Sequence, residues 1–487
     1  MDNDITAIVN IFRRENILEQ QIKAIKEQSI PPKSIIIWNN GNTKIDLTKY
    51  KNDKYYKVFD CNYNSGVWSR FIISQLADTE YICIFDDDTI PEKNWFKNCM
   101  ECMIKKEALY GTIGVIFKNS EKYEFYRRYG WDSINNGNNT EPKPVDIVGH
   151  SWFFKKKWIS YLLRESPKVN EYFSVGEDIY FSFMLQKYGN IPTYVPPHPS
   201  TDISLFGSNP KLAFKIGCDG NSGSNIKCTF DIALNDAKKE GFRTLLKRQN
   251  AKSDEDLEYF MDKIRNIENF AIIRPGDGEY NILENKTLTT IDNWTFYQNG
   301  KLSKNLNDSL YLASNRNCYI GIPCGNCNLN MARYYINKYK LNPLYTTFAN
   351  IFVNKNWKNW INFLINEKIS FIYIGPHNLP ENKFIVEKYI NIPLYLVNDW
   401  DKKGEEYKIN LKIEIKKYIN KIFMFSAGPI SKIIISELWN EHPKNIYLDV
   451  GSSFDLFSKG KSNREYIKEN SELSKLICNF DLRIFDI

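Results

Sequence analysis

The feature that most constrains the fold of this 487-residue chain is a repeated alternation of short apolar strands and amphipathic helices. In the first half, "ITAIVNIF", "SIIIWNNG" and "YICIF" have the length and β-branched content of buried strands, and "NILEQQIKAIKEQ" has helical spacing of its apolar residues. This βαβαβ order predicts a parallel sheet that is covered by helices. Ligands of such sheets bind beyond the carboxyl ends of the strands.

A second series of the same kind follows a polar stretch near residues 248–253. Its predicted strands are "FAIIRPG", "NCYIGIP", "SFIYIGP", "IPLYLVN", "KIFMFSAGP" and "NIYLDVG". Because 487 residues exceed the size of one ordinary core, we predict two α/β, Rossmann-like domains. We place them at residues 1–250 and 251–487.

Composition and charge narrow the class of protein. A hydrophobic fraction of 43% is enough to form packed cores, and a net charge of +7 spread along the chain suits small anionic ligands. The chain has no RNA- or DNA-reading motif, so we expect no nucleic-acid partner. The acidic N-terminus lacks the regions of a signal peptide, and no window offers about 18 uninterrupted apolar residues. We therefore expect a soluble, cytoplasmic protein.

The ten cysteines include two CxxC pairs, Cys99/Cys102 and Cys324/Cys327. A joint zinc site would use all four thiols, but structural zinc usually draws its pairs from closer spacing. Cys99 and Cys102 also lie in a predicted helix, where thiols pack as small apolar groups. Ordinary packing in a reducing compartment is the favoured interpretation.

Three adjacent carboxylates, Asp86, Asp87 and Asp88, come directly after the strand "YICIF". An Asp-x-Asp pair at a sheet edge suits a hard divalent cation, Mg²⁺ or Mn²⁺, whose other ligands are waters and a diphosphate. The cation would neutralise a departing nucleotide diphosphate. A solvated acidic turn is the structural alternative.

These segments, together with "NSGVWSRF" and "VGEDIYFSFMLQKYG", resemble in order and spacing the nucleotide-sugar-dependent glycosyltransferases of GT-A fold. The likeness covers residues 4–245 and is greatest for the GT2-like and exostosin-like groups. It implies a donor site with these members: Asp86 and Asp88 as metal ligands, Asp87 at the ribose or the metal, Asn39 and Asn40 near the nucleotide, and Arg70 near the diphosphate.

Further roles follow from the same resemblance. His198, in a proline-rich loop, matches the late ligand that completes the metal shell in many such enzymes. Asp178, beside Glu177 at a helix start, matches the catalytic base, which would deprotonate an acceptor hydroxyl for inverting attack. In exostosin-like relatives the configuration would be retained and Asp178 would orient the acceptor. A charge pair stabilised by the helix dipole is the structural alternative. The turn-rich segment 217–225 is expected to be a mobile loop over this site.

A second acidic motif lies in "RPGDGE", where Asp277 and Glu279 flank Gly278 just past a strand. Glycine permits the turn, so the two carboxylates can converge on a divalent cation. With "SAGPISKIIISEL" and "LDVGSSFD", this motif resembles the GT-D glycosyltransferases over residues 255–487. The resemblance implies the following roles: Asp277 and Glu279 at the metal and diphosphate, and Gly428, Asp449 and Gly451 at the nucleotide. Ser452 stands where members often carry histidine, which leaves the metal shell open.

Together these features predict a bifunctional glycosyltransferase that uses nucleotide sugars, with UDP-sugars as the favoured donors, and Mn²⁺ or Mg²⁺. The acceptor would be a growing glycan, lipid-linked or on a glycoprotein. The processive QxxRW signature is absent, which favours single transfers. Two alternatives stay open. The second domain could be non-catalytic and bind glycans, or the chain could be a phosphohydrolase of haloacid-dehalogenase type, because "FDDDTI" and "GDGEYN" resemble the motifs of those enzymes. Linkage and oligomeric state are not predicted.

Overall fold

A computed structural model of the chain describes residues 4–12, 14–41, 44–130, 138–165, 174–217, 227–289, 295–296, 300–460, 462, 464–480 and 484–485. The chain divides into two compact units, Met1–Leu246 and Lys247–Asp486, and each has its own sheet. The segment 217–225 lies, apart from Gly217, outside the described residues.

The first unit is built from the following strands and helices. Its strands are β1 (Ile5–Ile11), β2 (Ser34–Asn39), β3 (Tyr56–Asp60), β4 (Tyr81–Phe85), β5 (Leu109–Phe117), β6 (Phe125–Gly130), β7 (Lys143–Val145), β8 (Ile147–Lys155) and β9 (Thr193–Val195). Its helices are α1 (Leu18–Lys26), α2 (Thr48–Lys51), α3 (Ser69–Ile72), α4 (Trp95–Lys105), α5 (Ile159–Leu162), α6 (Glu177–Gly189), α7 (Pro210–Gly217), α8 (Lys227–Lys239) and α9 (Leu245–Arg248), the last running into the second unit.

The sheet of the first unit has the strand order β3-β2-β1-β4-β8-β5-β9-β7, with β6 paired to β5. The strands β1 to β4 are parallel, as the βαβαβ rhythm predicts. The remainder differs from the predicted parallel sheet, because β8 runs antiparallel to both β4 and β5. No helix separates β5 from β6, and antiparallel neighbours need no crossover helix. The α/β class is confirmed and the sheet is mixed.

Local sequence explains the helices that border the acidic loop. Helix α1 buries Leu18, Ile22 and Ile25 along one face, which is the pattern of an amphipathic helix on a sheet. Helix α6 follows Gly176, whose φ of 87° suits glycine and turns the chain so that the helix begins at Glu177. Both helices place polar side chains at the carboxyl edge of the parallel strands.

The second unit is built from the following strands and helices. Its strands are β10 (Ala271–Ile273), β11 (Leu288–Thr289), β12 (Thr295–Phe296), β13 (Tyr319–Ile322), β14 (Thr346–Phe348), β15 (Ser370–Gly375), β16 (Ile385–Asn391), β17 (Ile422–Phe425) and β18 (Ile446–Asp449). Its helices are α10 (Ser253–Arg265), α11 (Asp277–Leu283), α12 (Lys301–Asn315), α13 (Gly325–Tyr339), α14 (Asn356–Asn366), α15 (Glu405–Ile415), α16 (Pro429–Glu441), α17 (Asp455–Ser458) and α18 (Glu472–Lys475).

The main sheet of the second unit is parallel, in the order β14-β13-β10-β18-β17-β15-β16. From β10 the chain first moves outward through β13 and β14, and the later strands lie on the other side. The order therefore reverses beside β10, and ligands of such sheets bind at this reversal, beyond the carboxyl ends. In the described part of the chain, every helix is too short or too polar to span a bilayer.

One predicted strand of this unit is wrong. The segment "IPLYLVN" forms a short 3-10 turn at Leu394–Leu396, and the edge strand is instead β16, Ile385–Asn391. Pro393 lacks the N–H that a ladder needs, and Leu394 and Tyr395 are half exposed, so this apolar run is not a buried strand. The stretch after "FAIIRPG" also differs from the predicted glycine turn, since helix α11 begins directly at Asp277.

Candidate active sites

The acidic loop of the first unit is held in place by a buried glutamine. Gln21 on α1 donates hydrogen bonds to the carbonyl oxygens of Asp86, at 2.7 Å, and Thr89, at 2.6 Å. The backbone N–H of Thr89 closes the turn on the Asp86 carbonyl at 3.1 Å. Contacts to the backbone thus fix the three carboxylates at the end of β4.

Two arginines offset the charge of the three carboxylates. Arg14 contacts Asp87 at 2.5 Å and Asp88 at 3.5 Å, and the buried Arg70 contacts Asp86. Burial raises the pKa of Asp87 to about 7, against the opposing effect of Arg14. Arg70 was predicted to lie near a diphosphate, and it does lie at this edge, paired with carboxylates. Arg14 was not predicted, although "FRREN" after the first strand carries two arginines in the right loop.

A histidine that the sequence analysis did not name completes a group of possible metal ligands. Ligand atoms of Asp86, Asp88 and His150 all lie within 4.8 Å of one another. His150 comes from β8, whose antiparallel pairing with β4 brings it beside the acidic loop, and its carbonyl accepts the Asp86 N–H at 3.0 Å. Its Nδ1 lies 3.7 Å from Asp88 Oδ1. The two carboxylates suit Mn²⁺ or Mg²⁺, and the imidazole adds a nitrogen ligand of the kind that first-row transition metals bind.

The electrostatics of His150 reflect these neighbours. Burial by itself would lower the pKa of His150, but the Asp88 carboxylate outweighs it, so the pKa is raised. Its φ of 65° is unusual for a residue with a side chain, and such conformations concentrate at functional sites.

The interpretation of His198 as the metal ligand needs correction. Its ring is fully buried between Trp95 and Phe206, and it does not belong to the group around Asp86. Nδ1 lies 2.8 Å from the Pro196 carbonyl, and Nε2 accepts the Gly207 N–H at 3.4 Å. Burial lowers the pKa of His198 to about 4. Both ring nitrogens serve the backbone, so this histidine holds a loop together.

The two carboxylates predicted to act on the acceptor hydroxyl, Glu177 and Asp178, lie at the start of α6. Glu177 is buried and pairs with Arg70, which links it to Asp86. Burial and then the Glu177 carboxylate raise the pKa of Asp178 to about 8, and its Oδ1 accepts the Ile179 N–H at 2.7 Å. A carboxyl group with a pKa near neutrality suits acid–base chemistry.

The two predicted asparagines shape neighbouring loops. Asn39, at the end of β2, donates to Asp60 at 2.8 Å. Asn40 donates to the Gly66 carbonyl at 3.0 Å, and its Oδ1 accepts from the N–H and hydroxyl of Ser65, at 2.8 and 2.7 Å. Both lie at the carboxyl edge, and Asn40 holds the loop that leads to Arg70.

The second unit has a buried charge cluster beside β10. Lys432 Nζ lies 3.0 Å from Glu279 Oε1 and 2.9 Å from Asp449 Oδ2. The Arg274 N–H donates to Asp449 Oδ2 at 3.0 Å. An ammonium therefore occupies the position between two carboxylates that a divalent cation would take. Lys432 was not singled out from sequence, although it lies one turn into the helix after a glycine turn.

The two predicted metal ligands of this unit differ in environment. Asp277 is exposed, whereas Glu279 is buried and also accepts the Gly276 N–H at 3.0 Å. Burial would raise the pKa of Glu279, but Lys432 outweighs it and the pKa is lowered. Among the residues that the structure describes, neither belongs to a group of three metal-ligating side chains. A metal held by Asp277 and Glu279 thus fits these residues poorly.

A pocket of the second unit contains both predicted glycines. Gly428 and Gly451 follow β17 and β18, and the pocket wall also includes Ser452, Lys459 and Arg464. Gly451 has a φ of +51°, and an added Cβ would lie 2.2 Å from the Arg274 guanidinium, so glycine is required there. Lys459 and Arg464 both pair with Asp455 of the same wall, at 3.3 and 3.2 Å, so a phosphate-bearing ligand would share these basic side chains with that carboxylate.

Comparison with known protein families finds a match, which lies in the first unit. Residues 6–163 match the model of glycosyl transferase family 2. This stretch includes the acidic loop and His150, so about a third of the chain is similar to family-2 glycosyltransferases, which supports a glycosyltransferase activity. The matched residues lie within the first of the two compact units. No curated protein sequence matches the chain.

Solved structures that are similar to parts of this chain include the following three. TarS from S. aureus shares 17% identity over 40% of this chain and 36% of its own, with a TM-score of 0.27. The domain of unknown function 1792, described as a distinct glycosyltransferase fold, shares 16% over 42% of this chain and 80% of its own, with a TM-score of 0.30. The mannosyltransferase PcManGT from Pyrobaculum calidifontis, in complex with GDP-Man and Mn²⁺, shares 14% over 48% and 73%, with a TM-score of 0.29. The match spans about a third of TarS, and likeness this low carries no argument about substrate.

Proposed function

We propose that the first unit is a metal-dependent transferase that moves a sugar from a nucleotide-sugar donor to a glycan acceptor. One observation carries the proposal: Asp86, Asp88 and His150 converge at the carboxyl edge of the unit that matches the family-2 model. These three side chains would hold the cation, Mn²⁺ or Mg²⁺. When bound, the cation supplies positive charge to a departing nucleotide diphosphate.

The chain's own residues would then position donor and acceptor. Arg14 and Arg70 hold the acidic loop through Asp87 and Asp86, and their guanidinium groups can exchange a carboxylate for a phosphate oxygen. Asp178, at the start of α6, would accept the proton of the acceptor hydroxyl as that oxygen attacks the anomeric carbon. Direct attack of this kind inverts the configuration of the sugar.

We further propose that the second unit is a separate transfer site. The supporting observation is the pocket at Gly428 and Gly451, which lies beyond the carboxyl ends of β17 and β18 and has Lys459 and Arg464 in its wall. Lys432, buried between Glu279 and Asp449, would hold these two carboxylates in place without a metal. Linking two transfer sites in one chain raises the effective concentration of the first product at the second site.

A donor screen on the full chain tests both sites. Nucleotide release is measured with Mn²⁺ or Mg²⁺, UDP-sugars first, with free glycan, lipid-linked and glycoprotein acceptors. We expect Asp88→Ala to abolish one transfer and Glu279→Gln the other, while the exposed carboxylate variants Asp46→Ala and Glu469→Ala keep both. If either site variant loses both transfers, or neither, the two-site proposal is wrong.

The same screen separates the alternatives. Nucleotide-sugar binding without transfer at the second unit would favour a glycan-binding role for that unit. Phosphate release from sugar phosphates would favour the phosphohydrolase. That reading needs both acidic motifs in one domain, whereas Asp86 and Asp277 lie in different compact units.

A further inference from the structure

A cluster of three thiols lies in the second unit. Of the two CxxC pairs, Cys99 and Cys102 are buried in α4, whereas Cys324 and Cys327 meet Cys478 at the start of α13. The Sγ atoms of all three lie within 4.8 Å of one another. The Sγ of Cys324 is 3.1 Å from that of Cys327, which in turn is 3.8 Å from that of Cys478. Neither transfer site uses these side chains.

The fold holds the third thiol in place although it is remote in sequence. The Ser253 N–H donates to the Cys478 carbonyl at 2.8 Å, and the Cys478 N–H donates to the Ser253 hydroxyl at 3.1 Å. Two residues further on, the ring of Phe480 stacks on Phe348 at 4.1 Å. The C-terminal segment is therefore anchored on both sides of Cys478, and its sulfur is directed to a defined position.

Hydrogen bonds distinguish these sulfurs from an ordinary buried thiol. The Cys327 N–H donates to Cys324 Sγ at 3.3 Å, and Asn350 Nδ2 donates to Cys478 Sγ at 3.8 Å. Cys318, in the core of the same unit, instead donates its S–H to the Ala271 carbonyl at 3.3 Å, as a neutral thiol does. Cys324 is the N-cap of α13, so the N–H donor and the helix N-terminus stabilise negative charge on its sulfur.

We propose that Cys324, Cys327 and Cys478 form a thiolate site for a soft divalent cation, with Zn²⁺ as the ion bound. A tetrahedral site with Zn–S bonds of about 2.3 Å places its sulfurs about 3.8 Å apart. The Cys327–Cys478 distance already has this value, and the 3.1 Å between Cys324 and Cys327 would widen on binding. Binding replaces three S–H bonds by three Zn–S bonds and releases three protons. Cys327 is exposed, so water can supply the fourth ligand.

The cation joins the C-terminal segment to the carboxyl edge of the second sheet. Cys324 follows β13, and Asn350 follows β14, so the segment that carries Cys478 crosses the ends of both strands. Strand β13 is also the parallel neighbour of β10, after which Asp277 comes. The thiolate site thus lies at the β13–β14 end of this edge and is separate from the pocket of the proposed second transfer site.

Cobalt titration of the reduced, metal-free full chain tests the proposal without any substitution. One equivalent of Co²⁺ should produce a thiolate-to-cobalt charge-transfer band, which carboxylate sites do not give, and Zn²⁺ should remove it. Hydrogen exchange at residues 476–480 should slow when Zn²⁺ is added. Absence of the band, or a disulfide between any two of the three cysteines in protein isolated without reductant, would overturn the proposal.

Substitutions locate the site. Cys478→Ser should abolish the cobalt band and the protection of the C-terminal segment, while Cys318→Ala, a matched buried cysteine of the same unit, should keep both. Cys61→Ser, in the first unit, controls for the loss of one thiol. A band that persists in Cys478→Ser and Cys324→Ser would place the metal elsewhere and refute the assignment.

Discussion

Exchanging each of two histidines separates metal binding from stability. His150→Gly removes one of the three ligating side chains, and glycine accepts the φ of 65° at that position. Losing a group that orders a metal site typically costs 10–100-fold in metal affinity, which corresponds to about 1.4–2.7 kcal/mol. We expect Mn²⁺ affinity to fall by at least about tenfold, with little change in the free energy of unfolding.

His198→Ala should do the opposite. The fully buried ring fills space between Trp95 and Phe206 and pairs with backbone groups of Pro196 and Gly207. Unsatisfied backbone groups cost about 1–3 kcal/mol, and the cavity left by a large side chain costs about 2–5 kcal/mol. We expect the unfolding free energy to fall by about 3–6 kcal/mol and the Mn²⁺ affinity of the folded protein to stay unchanged.

Two measurements decide the matter: paramagnetic resonance of free Mn²⁺ for affinity, and urea unfolding for stability. If the His198 variant weakens Mn²⁺ binding while the His150 variant leaves it intact, then the placement of the metal beside β8 is wrong. Equal losses in both variants would also refute it, because the two rings serve different partners.

Four other outcomes follow from the geometry. Burial lowers the pKa of His198 from 6.5 to about 4, so the unfolded chain takes up its proton first as the pH falls. The unfolding free energy should therefore fall by at most about 3 kcal/mol between these two pH values. His198→Asn should flatten this dependence of the unfolding free energy on pH, as urea unfolding in acid measures. Asp178→Asn should lower kcat of the first transfer by at least about 100-fold with Mn²⁺ binding unchanged, as expected for a lost base, and an unchanged kcat would exclude that role. Lys432→Gln should lower the free energy of unfolding by about 3–5 kcal/mol, since it leaves buried carboxylates unpaired. A calorimetric melt like that of the parent protein would contradict the buried ion pair. Gly451→Ala should lower the free energy of unfolding by about 1–3 kcal/mol, because of backbone strain and contact with Arg274. Urea unfolding measures this loss.

Much of the first site was predictable because its signals are local. The strand "YICIF" and the carboxylates that follow it are adjacent in sequence, and the strand end places them at the sheet edge. His150 gave no such signal, since a single histidine in the apolar stretch "IVGHSWFFK" has the pattern of a buried strand. Only the antiparallel register of β8 on β4, with Phe85 opposite Ser151, brings it to Asp86.

The second unit shows the same division. Sequence by itself determined the α/β class and most strands, because each depends on residues within one or two turns of chain. Tertiary structure alone decided that Lys432 neutralises Glu279 and that Cys478 joins a CxxC pair 151 residues earlier. Contacts between distant segments depend on packing of the whole unit, and residue spacing does not encode them. The acidic and thiol motifs were visible as residues, but their partners, and hence their chemistry, came from the fold.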